Sequence, residues 1–427
     1  MSAPLLSYAE ADAVVASFAR ELSKIRRAVE RIELGNAAGR VLAEQIVADQ
    51  DQPPFARSTR DGFAGRAADF SGHAFYRVAG STHAGEAPPG PLPQGAVWEI
   101  MTGAPVPEGA DAVVMIEHVE RDKDSVRLAD SVRNPDRVRL SSDRKIKSGD
   151  NIVEAGAQAK RGAVLVETGV VMGAAQIALA AACGYAKVAV YRRPRVAILT
   201  TGDELVPVTD EPGPGQIRNS NAPMLASLVA GAGGEARVLP TAADTAEALD
   251  AALQEALDAD LLLISGGVSA GKFDLVEPAL ARRGAQFHFT GVRMQPGKPL
   301  VFGEALRADR ASLPFFGLPG NPISSAATFL LFAAQVLKAL AGCSDFRPRF
   351  LAAELARDTD RKGKPGLTRF LPAQCDFNAD QKLPQVATVP WHGSGDLPAF
   401  ARANCFVVIP EDEATLDAGT MVRVLMI

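Results

Sequence analysis

Seven short stretches of the chain combine the residue types that handle oxyanions and divalent cations. Residues 260–274, DLLLISGGVSAGKFD, run from four apolar positions through Gly266 and Gly267 to a carboxylate, Asp274. A small-residue loop after a buried strand leaves backbone N–H groups free to face a phosphate, and Asp274 can hold a metal. TTGDEL (200–205) sets Asp203 and Glu204 directly after a glycine, where one acid can hold Mg2+ or a water. GLPGNPISS (317–325) is stiffened by Pro319 and Pro322. Gly320 permits close approach there, and Asn321 or Ser324 can cap the helix that follows, a second seat for an anion. QPGKP adds Lys298 in another stiff turn. Asp244 and Glu247 form a D-x-x-E pattern, which reads as a helix N-cap as readily as a functional acid. Asp61 in STRDGFA and Thr102 in IMTGAPVPEG sit in two more glycine-bearing loops.

Some chemistries are excluded. GGVSAGKF matches the glycines and lysine of a nucleotide-binding P-loop, but Phe273 stands where a hydroxyl must bind magnesium. The five histidines are scattered, with neither a zinc-hydrolase spacing nor a triad partner. A net charge of −5 argues against nucleic acid as a partner. No apolar run without polar interruption reaches membrane-spanning length, and the N-terminus lacks a basic, then apolar leader. Four cysteines, far apart, are expected to be reduced and buried, so the chain is expected in the cytoplasm.

The elements that must position these loops follow from periodicity. Ser7 and Glu10 make a capping box for a helix over 8–25, and Thr168 is a candidate cap for a second helix ending at Gly184. The two are expected to pair in a connecting domain (1–50 and 146–194), interrupted by a β-rich inserted lobe (51–145). From Arg195 strand and helix alternate, which predicts a doubly wound α/β domain over 195–342. GAQFHFTGV is expected to be one of its strands. Short strands over 343–427 predict a small C-terminal β-barrel or sandwich. The fold class is therefore α/β multidomain. Four loops following successive strands (TTGDEL, SGGVSAGKFD, QPGKP and GLPGNPISS) should converge on one edge of one sheet, combining two anion seats with carboxylates.

STRDGFA, IMTGAPVPEGADAVV, TTGDELV, SGGVSAGKFD, QPGKP and GLPGNPISS, in this order, resemble the molybdopterin molybdenumtransferase family, the molybdenum insertases. The resemblance spans nearly the whole chain. It implies a homodimer of four-domain subunits and a molybdopterin-binding α/β domain. It also implies insertion of molybdate into adenylylated molybdopterin, with Mg2+ and release of AMP. Carried over by position, Asp61, Thr102, Glu204 and Asp244 match catalytic positions, and Glu204 and Asp274 the metal site. Gly266, Gly267, Ser269, Lys298, Pro319, Gly320, Asn321, Arg369 and Ser394 match substrate-binding positions. The molybdopterin adenylyltransferase is an expected partner. Two departures stand out. Ile146 and Asn151 occupy positions where the family usually has an arginine and an acid, and Asn219 stands where an acid is common. A catalytically impaired paralogue that binds or scaffolds molybdopterin is the alternative that the first of these raises.

Overall fold

The computed structural model describes residues 5–70, 74–122, 136–141, 144–267, 275–306, 312–359, 366–377 and 382–427. The chain forms two compact units, one of residues 1–44, 168–177 and 187–427, the other of 45–167 and 178–186.

The first unit contains a six-stranded sheet in the order Glu235–Val238, Arg195–Thr200, Leu261–Ser265, Ser312–Leu318, Val301–Leu306, Gln286–Phe289. The first four run parallel, and Val301–Leu306 is antiparallel to both of its neighbours. Both faces are covered, so the central strands are apolar without alternation. Val196, Ile198, Leu261 and Leu263 enter one core; Ala197, Leu199, Leu262 and Ile264 enter the other. The expected doubly wound α/β architecture is present, with helices Asn221–Gly231, Ala246–Ala256 and Val276–Arg282 following strands.

Four local expectations are corrected. The helix over 246–256 is capped by Thr245, whose hydroxyl accepts from the Ala248 N–H, so Asp244 is not the cap. The second helix starts at Ala174 rather than after Thr168. The backbone of 169–172 is already spent on pairing, with Leu42 N–H donating to Val170 and Met172 N–H to Arg40. The opening helix, Tyr8–Ser23, has its capping box, but it packs on Ala334–Leu340. Its small buried stripe, Ala11, Val15, Ala16 and Ala19, accepts bulky neighbours, and Gln335 Nε2 donates to Asp12 at 2.8 Å. Finally, GAQFHFTGV is two strands. Gln286–Phe289 stays in the α/β sheet. Val292–Gln295 leaves it to run parallel to Leu6–Ser7 and to Thr368–Asp376.

Residues 322–340 form a continuous helix with a π-helical stretch at Phe329–Ala333. Just before that stretch the Thr328 hydroxyl donates to the Ser324 and Ser325 carbonyls, a contact that loosens the regular ladder. This helix, 19 residues with mean hydropathy 1.6, is long and apolar enough to cross a membrane, contrary to expectation, but 83% of it is buried in the core.

After Cys343 five strands close into a barrel, in the order Thr368–Asp376, Gln385–Thr388, Phe350–Leu355, Met421–Met426, Cys405–Ile409 and back to the first. Inward residues such as Leu355, Val386, Val407 and Val424 fill it. The second unit is built on a six-stranded sheet including Gly62–Gly65, Ala96–Ile100 and Ala112–Met115, as the β-rich lobe required.

All four cysteines are free and buried. Burial pushes the Cys405 thiol up to about 12, and raises Cys343 and Cys375 as well. Thiolate is the reactive form. At pH 8, a maleimide should label none of the four in the native protein and all four in denaturant, counted by mass spectrometry.

Candidate functional site

Three loops of the α/β sheet meet at the carboxyl ends of neighbouring strands. Thr201–Glu204 follows Arg195–Thr200, Gly266–Gly267 follows Leu261–Ser265, and Pro319–Asn321 follows Ser312–Leu318. Together they rim a cleft with two adjoining lobes, of about 600 Å3 and about 260 Å3, sharing Thr201, Glu204, Gly266, Gly320 and Asn321. Gly202, Gly267, Pro319, Pro299 and Asp244 complete the smaller lobe.

Backbone geometry explains the residue types. Gly266 and Gly267 have φ +98° and +62°, in the left-handed region. A Cβ on Gly266 would lie 2.5 Å from the Thr201 carbonyl oxygen, so the turn admits no side chain there. Asn321 starts the helix over 322–340 without spending its side chain on a cap bond, leaving the amide available at the rim.

The acids are crowded. The Asp244 N–H donates to Asp203 Oδ1 at 3.1 Å. Burial, together with the charges of Asp203 and Glu204, pushes the Asp244 carboxyl above the usual carboxylate range. Among the described residues lining the two lobes, Arg218 is the one cationic side chain, and its Nε is anchored on the Asp210 carbonyl at 3.0 Å.

The other expected site residues are placed as follows. Lys298 is exposed and off the cleft wall; its neighbour Pro299 lines the smaller lobe. Ser394 accepts the Ile323 N–H through its carbonyl, and the next residue, Gly395, lines the larger lobe. Arg369 does not line the cleft. It lies in a barrel strand, where its guanidinium donates to the Glu413 carbonyl at 3.3 Å and to Ala414. Ser269 and Asp274 lie outside the described residues.

In the second unit Asp61 and Thr102 do come together. Asp61 Oδ1 accepts from the Thr102 N–H at 2.6 Å and from its hydroxyl at 2.8 Å. Those two bonds hold the Asp61 carboxyl below the usual range. A depressed carboxylate supplies its tether above its unfolded pKa and loses it as pH falls through the folded one. The Thr102 amide should therefore stay protected from hydrogen exchange at pH 5 and lose protection only as pH falls below the usual aspartate range. NMR exchange rates across that window check it.

Two of the three departing positions, Asn151 and Asn219, have local explanations; nothing in the structure explains Ile146. Asn151 has φ +59° and donates through Nδ2 to the Val113 carbonyl at 2.8 Å. Asparagine tolerates that conformation, and an ionised aspartate could not donate. Asn219 likewise donates to the Thr200 and Thr241 hydroxyls while its Oδ1 accepts the Ala222 N–H. Residue type and spacing alone do not mark Arg218, Asn221 and Thr201, which line the larger lobe, as ligand residues. The RNSN run directly before a helix, and the two threonines opening TTGDEL, were the available signals.

Family descriptions match almost the full length. Residues 6–184 match "MoeA N-terminal region (domain I and II)", 197–339 "Probable molybdopterin binding domain", and 353–427 "MoeA C-terminal region (domain IV)". The molybdopterin molybdenumtransferase of Bacillus subtilis (strain 168) is 33% identical, over 93% of this chain and 90% of that protein. The chain belongs to the molybdopterin molybdenumtransferase family. The Haemophilus influenzae member is 31% identical over 92% of this chain and 93% of its own. A crystal structure of the molybdopterin biosynthesis moeA protein from Pyrococcus horikoshii OT3 covers 99% of this chain and 100% of that one, with a TM-score of 0.78 at 27% identity. A second structure titled as that protein covers 99% of both chains, with a TM-score of 0.72 at 32% identity. Family membership thus extends to the whole multidomain fold, barrel included.

Proposed function

We propose that this protein is a transferase of molybdenum cofactor biosynthesis that inserts molybdenum from molybdate into adenylylated molybdopterin, releasing AMP. The observation that carries this is the convergence of the TGDE, SGG and PGN loops on one cleft, in a chain of this family. Both substrates are anions with several oxygens, and the cleft's inventory suits them: glycine-rich turns, one guanidinium and a carboxylate cluster.

Magnesium fits the donor set. No three carboxylate, imidazole or thiol side chains among the described residues converge as a complete metal cage. Mg2+ needs none, since one or two carboxylates plus substrate phosphates and waters satisfy it. Glu204 and Asp274 are the residues we assign to hold it. When bound it would draw charge from the phosphate oxygens at the bond that is cut.

The chain's own groups have separate work. The Gly266–Gly267 turn lets backbone approach the phosphates closely, and Arg218 meets their charge at the cleft wall. Asp244 lines the smaller lobe, where burial and the charges of Asp203 and Glu204 raise its carboxyl, and it is the acid we assign to the cleft beside Glu204. Asp61 and Thr102, on the second unit, are assigned to molybdate. Positioning supplies most of the rate, because the metal–dithiolene bond asks for little covalent help. We further place the protein in the cytoplasm as a homodimer, supplied with substrate by a molybdopterin adenylyltransferase.

The decisive test incubates the protein with adenylylated molybdopterin and Mg2+, with and without molybdate, and measures AMP. Release that depends on molybdate supports the assignment. Tight binding of the ligand with no such release would reassign the chain to a pterin-binding role. Sedimentation velocity tests the dimer.

A further inference from the structure

An arginine held by a neutral partner keeps its whole charge for another group. In the second unit the guanidiniums of Arg66, Arg121 and Arg139 lie beside the carboxylates of Asp69, Glu99 and Glu120. Arg144 differs. Its Nη1 lies 2.7 Å from His118 Nε2, and no carboxylate among the described residues pairs with it. A guanidinium can only donate, so Nε2 is the acceptor, and His118 is neutral with its proton on Nδ1. One N–H is spent on holding the side chain. The others remain on an exposed, oriented fork of the kind that suits oxyanions.

The backbone ties this fork to the loop of Asp61. His118 closes a short 3₁₀ turn, Ile116–His118, whose first N–H donates to the Asp61 carbonyl at 3.0 Å. The segment that begins at Arg144 returns to the same loop. Its Asn151 carbonyl accepts from the Thr59 N–H at 2.9 Å and from the Thr59 hydroxyl at 3.2 Å, two residues before Asp61. Residues 144–151 are thus fastened at both ends beside the loop that carries Asp61. Electrostatics asks for a cation there. Thr102 holds the Asp61 carboxyl ionised, and an ionised carboxylate repels an oxyanion unless a positive group stands between them. Lys145 and Lys147 are exposed, with ammonium groups bonded to nothing among the described residues, so fixing either on a ligand costs side-chain entropy. Arg144 is already fixed. We propose that Arg144 binds the oxygens of molybdate beside Asp61, and that His118 is its positioning residue. This rests on Asp61 and Thr102 being the molybdate end of the protein, and supplies the cation which that end requires.

Equilibrium dialysis of the full chain against molybdate alone is the experiment, with a melting curve for each variant. Arg144→Ala should weaken molybdate binding by roughly 10- to 100-fold, the worth of a hydrogen bond between charged partners, and leave the melting temperature unchanged because the side chain is exposed. His118→Ala should weaken it by roughly three- to tenfold, and His118→Gln, whose amide oxygen can accept from Arg144, should restore it. A histidine with a merely structural role would lower the melting temperature without moving molybdate affinity. Lys145→Ala should stay within about twofold of wild type, as an exposed charge with no fixed geometry does. Unchanged affinity in Arg144→Ala, an equal loss in Lys145→Ala, no rescue by glutamine, or no molybdate binding by wild type would overturn the proposal. AMP release is read separately. Molybdate-dependent release by wild type, with Arg144→Ala binding molybdate normally, would leave the insertion reading standing and remove Arg144. Molybdate binding that depends on Arg144, without such release, would remove the insertion reading and leave the anion site.

Discussion

Glu204→Gln should lower molybdate-dependent AMP release by about 100- to 1,000-fold, the range seen when one preorganised charged or polar group is removed from a reacting centre. Glu204 lines both lobes of the cleft. Its carboxylate folds back over Gly202, where a Cβ would sit 2.6 Å from Oε2, and it makes no hydrogen bond within the described residues. Exchanging an exposed carboxylate for an amide of the same shape therefore costs the fold little, and chemical denaturation should be unchanged within about 0.5 kcal/mol. A second readout is local. Asp244 loses one of the two like charges that raise its carboxyl, so its titration should move back toward the ordinary carboxylate range. A variant that keeps full activity would remove Glu204 from the mechanism, and with it the proposed metal ligand.

Gly266→Ala should be the most damaging single methyl group in the cleft. The position combines φ +98° with a Cβ that would meet the Thr201 carbonyl oxygen at 2.5 Å, a backbone atom that cannot swing aside. Left-handed strain and the clash together amount to about 2–4 kcal/mol of destabilisation. Relief would come from parting the Gly266 and Thr201 loops, which also carry Gly267 and Glu204, so affinity for the adenylylated ligand should collapse. Gly320→Ala is the control. Its Cβ would lie 3.7 Å from Gly266 Cα, in ordinary contact, and its effect on denaturation should stay within about 0.5 kcal/mol. Equal denaturation curves for the two variants would mean that the tight turn is not as rigid as its geometry requires.

Where local signals and tertiary demands agreed, the sequence was readable. The Ser7–Glu10 capping box, the strand Leu261–Ser265 and the rhythm of the α/β domain appear as expected, because caps and doubly buried strands are written in adjacent residues. Phe287 and Val292 lie five residues apart in one strand-like stretch, FHFTGV, yet they belong to different sheets; only the barrel, contributed by residues after 343, decides that exchange. Thr245 rather than Asp244 caps its helix, a one-residue shift that frees an acid for the cleft. Arg369 and Ser394 were carried over by resemblance alone. A guanidinium folded onto neighbouring carbonyls, and a serine whose backbone does the bonding, cannot be told from ligands by residue type. Thr201 and Asn221 carry no ligand signature of their own in the sequence, because only the fold brings them to the wall of the larger lobe.

The seating of the opening helix against the last helix of the α/β domain sets an order on biosynthesis. Asp12 meets Gln335, a partner 323 residues downstream. At ribosomal speeds that separation is roughly 15–65 s of elongation, during which the amphipathic stripe of residues 11–19 has no native surface to cover it. The inserted lobe has its sheet complete long before then and can fold while it waits. A nascent chain halted near residue 200 should thus carry a protease-resistant lobe behind a protease-sensitive, chaperone-dependent N-terminus, and resistance there should arrive only once residue 340 has cleared the exit tunnel.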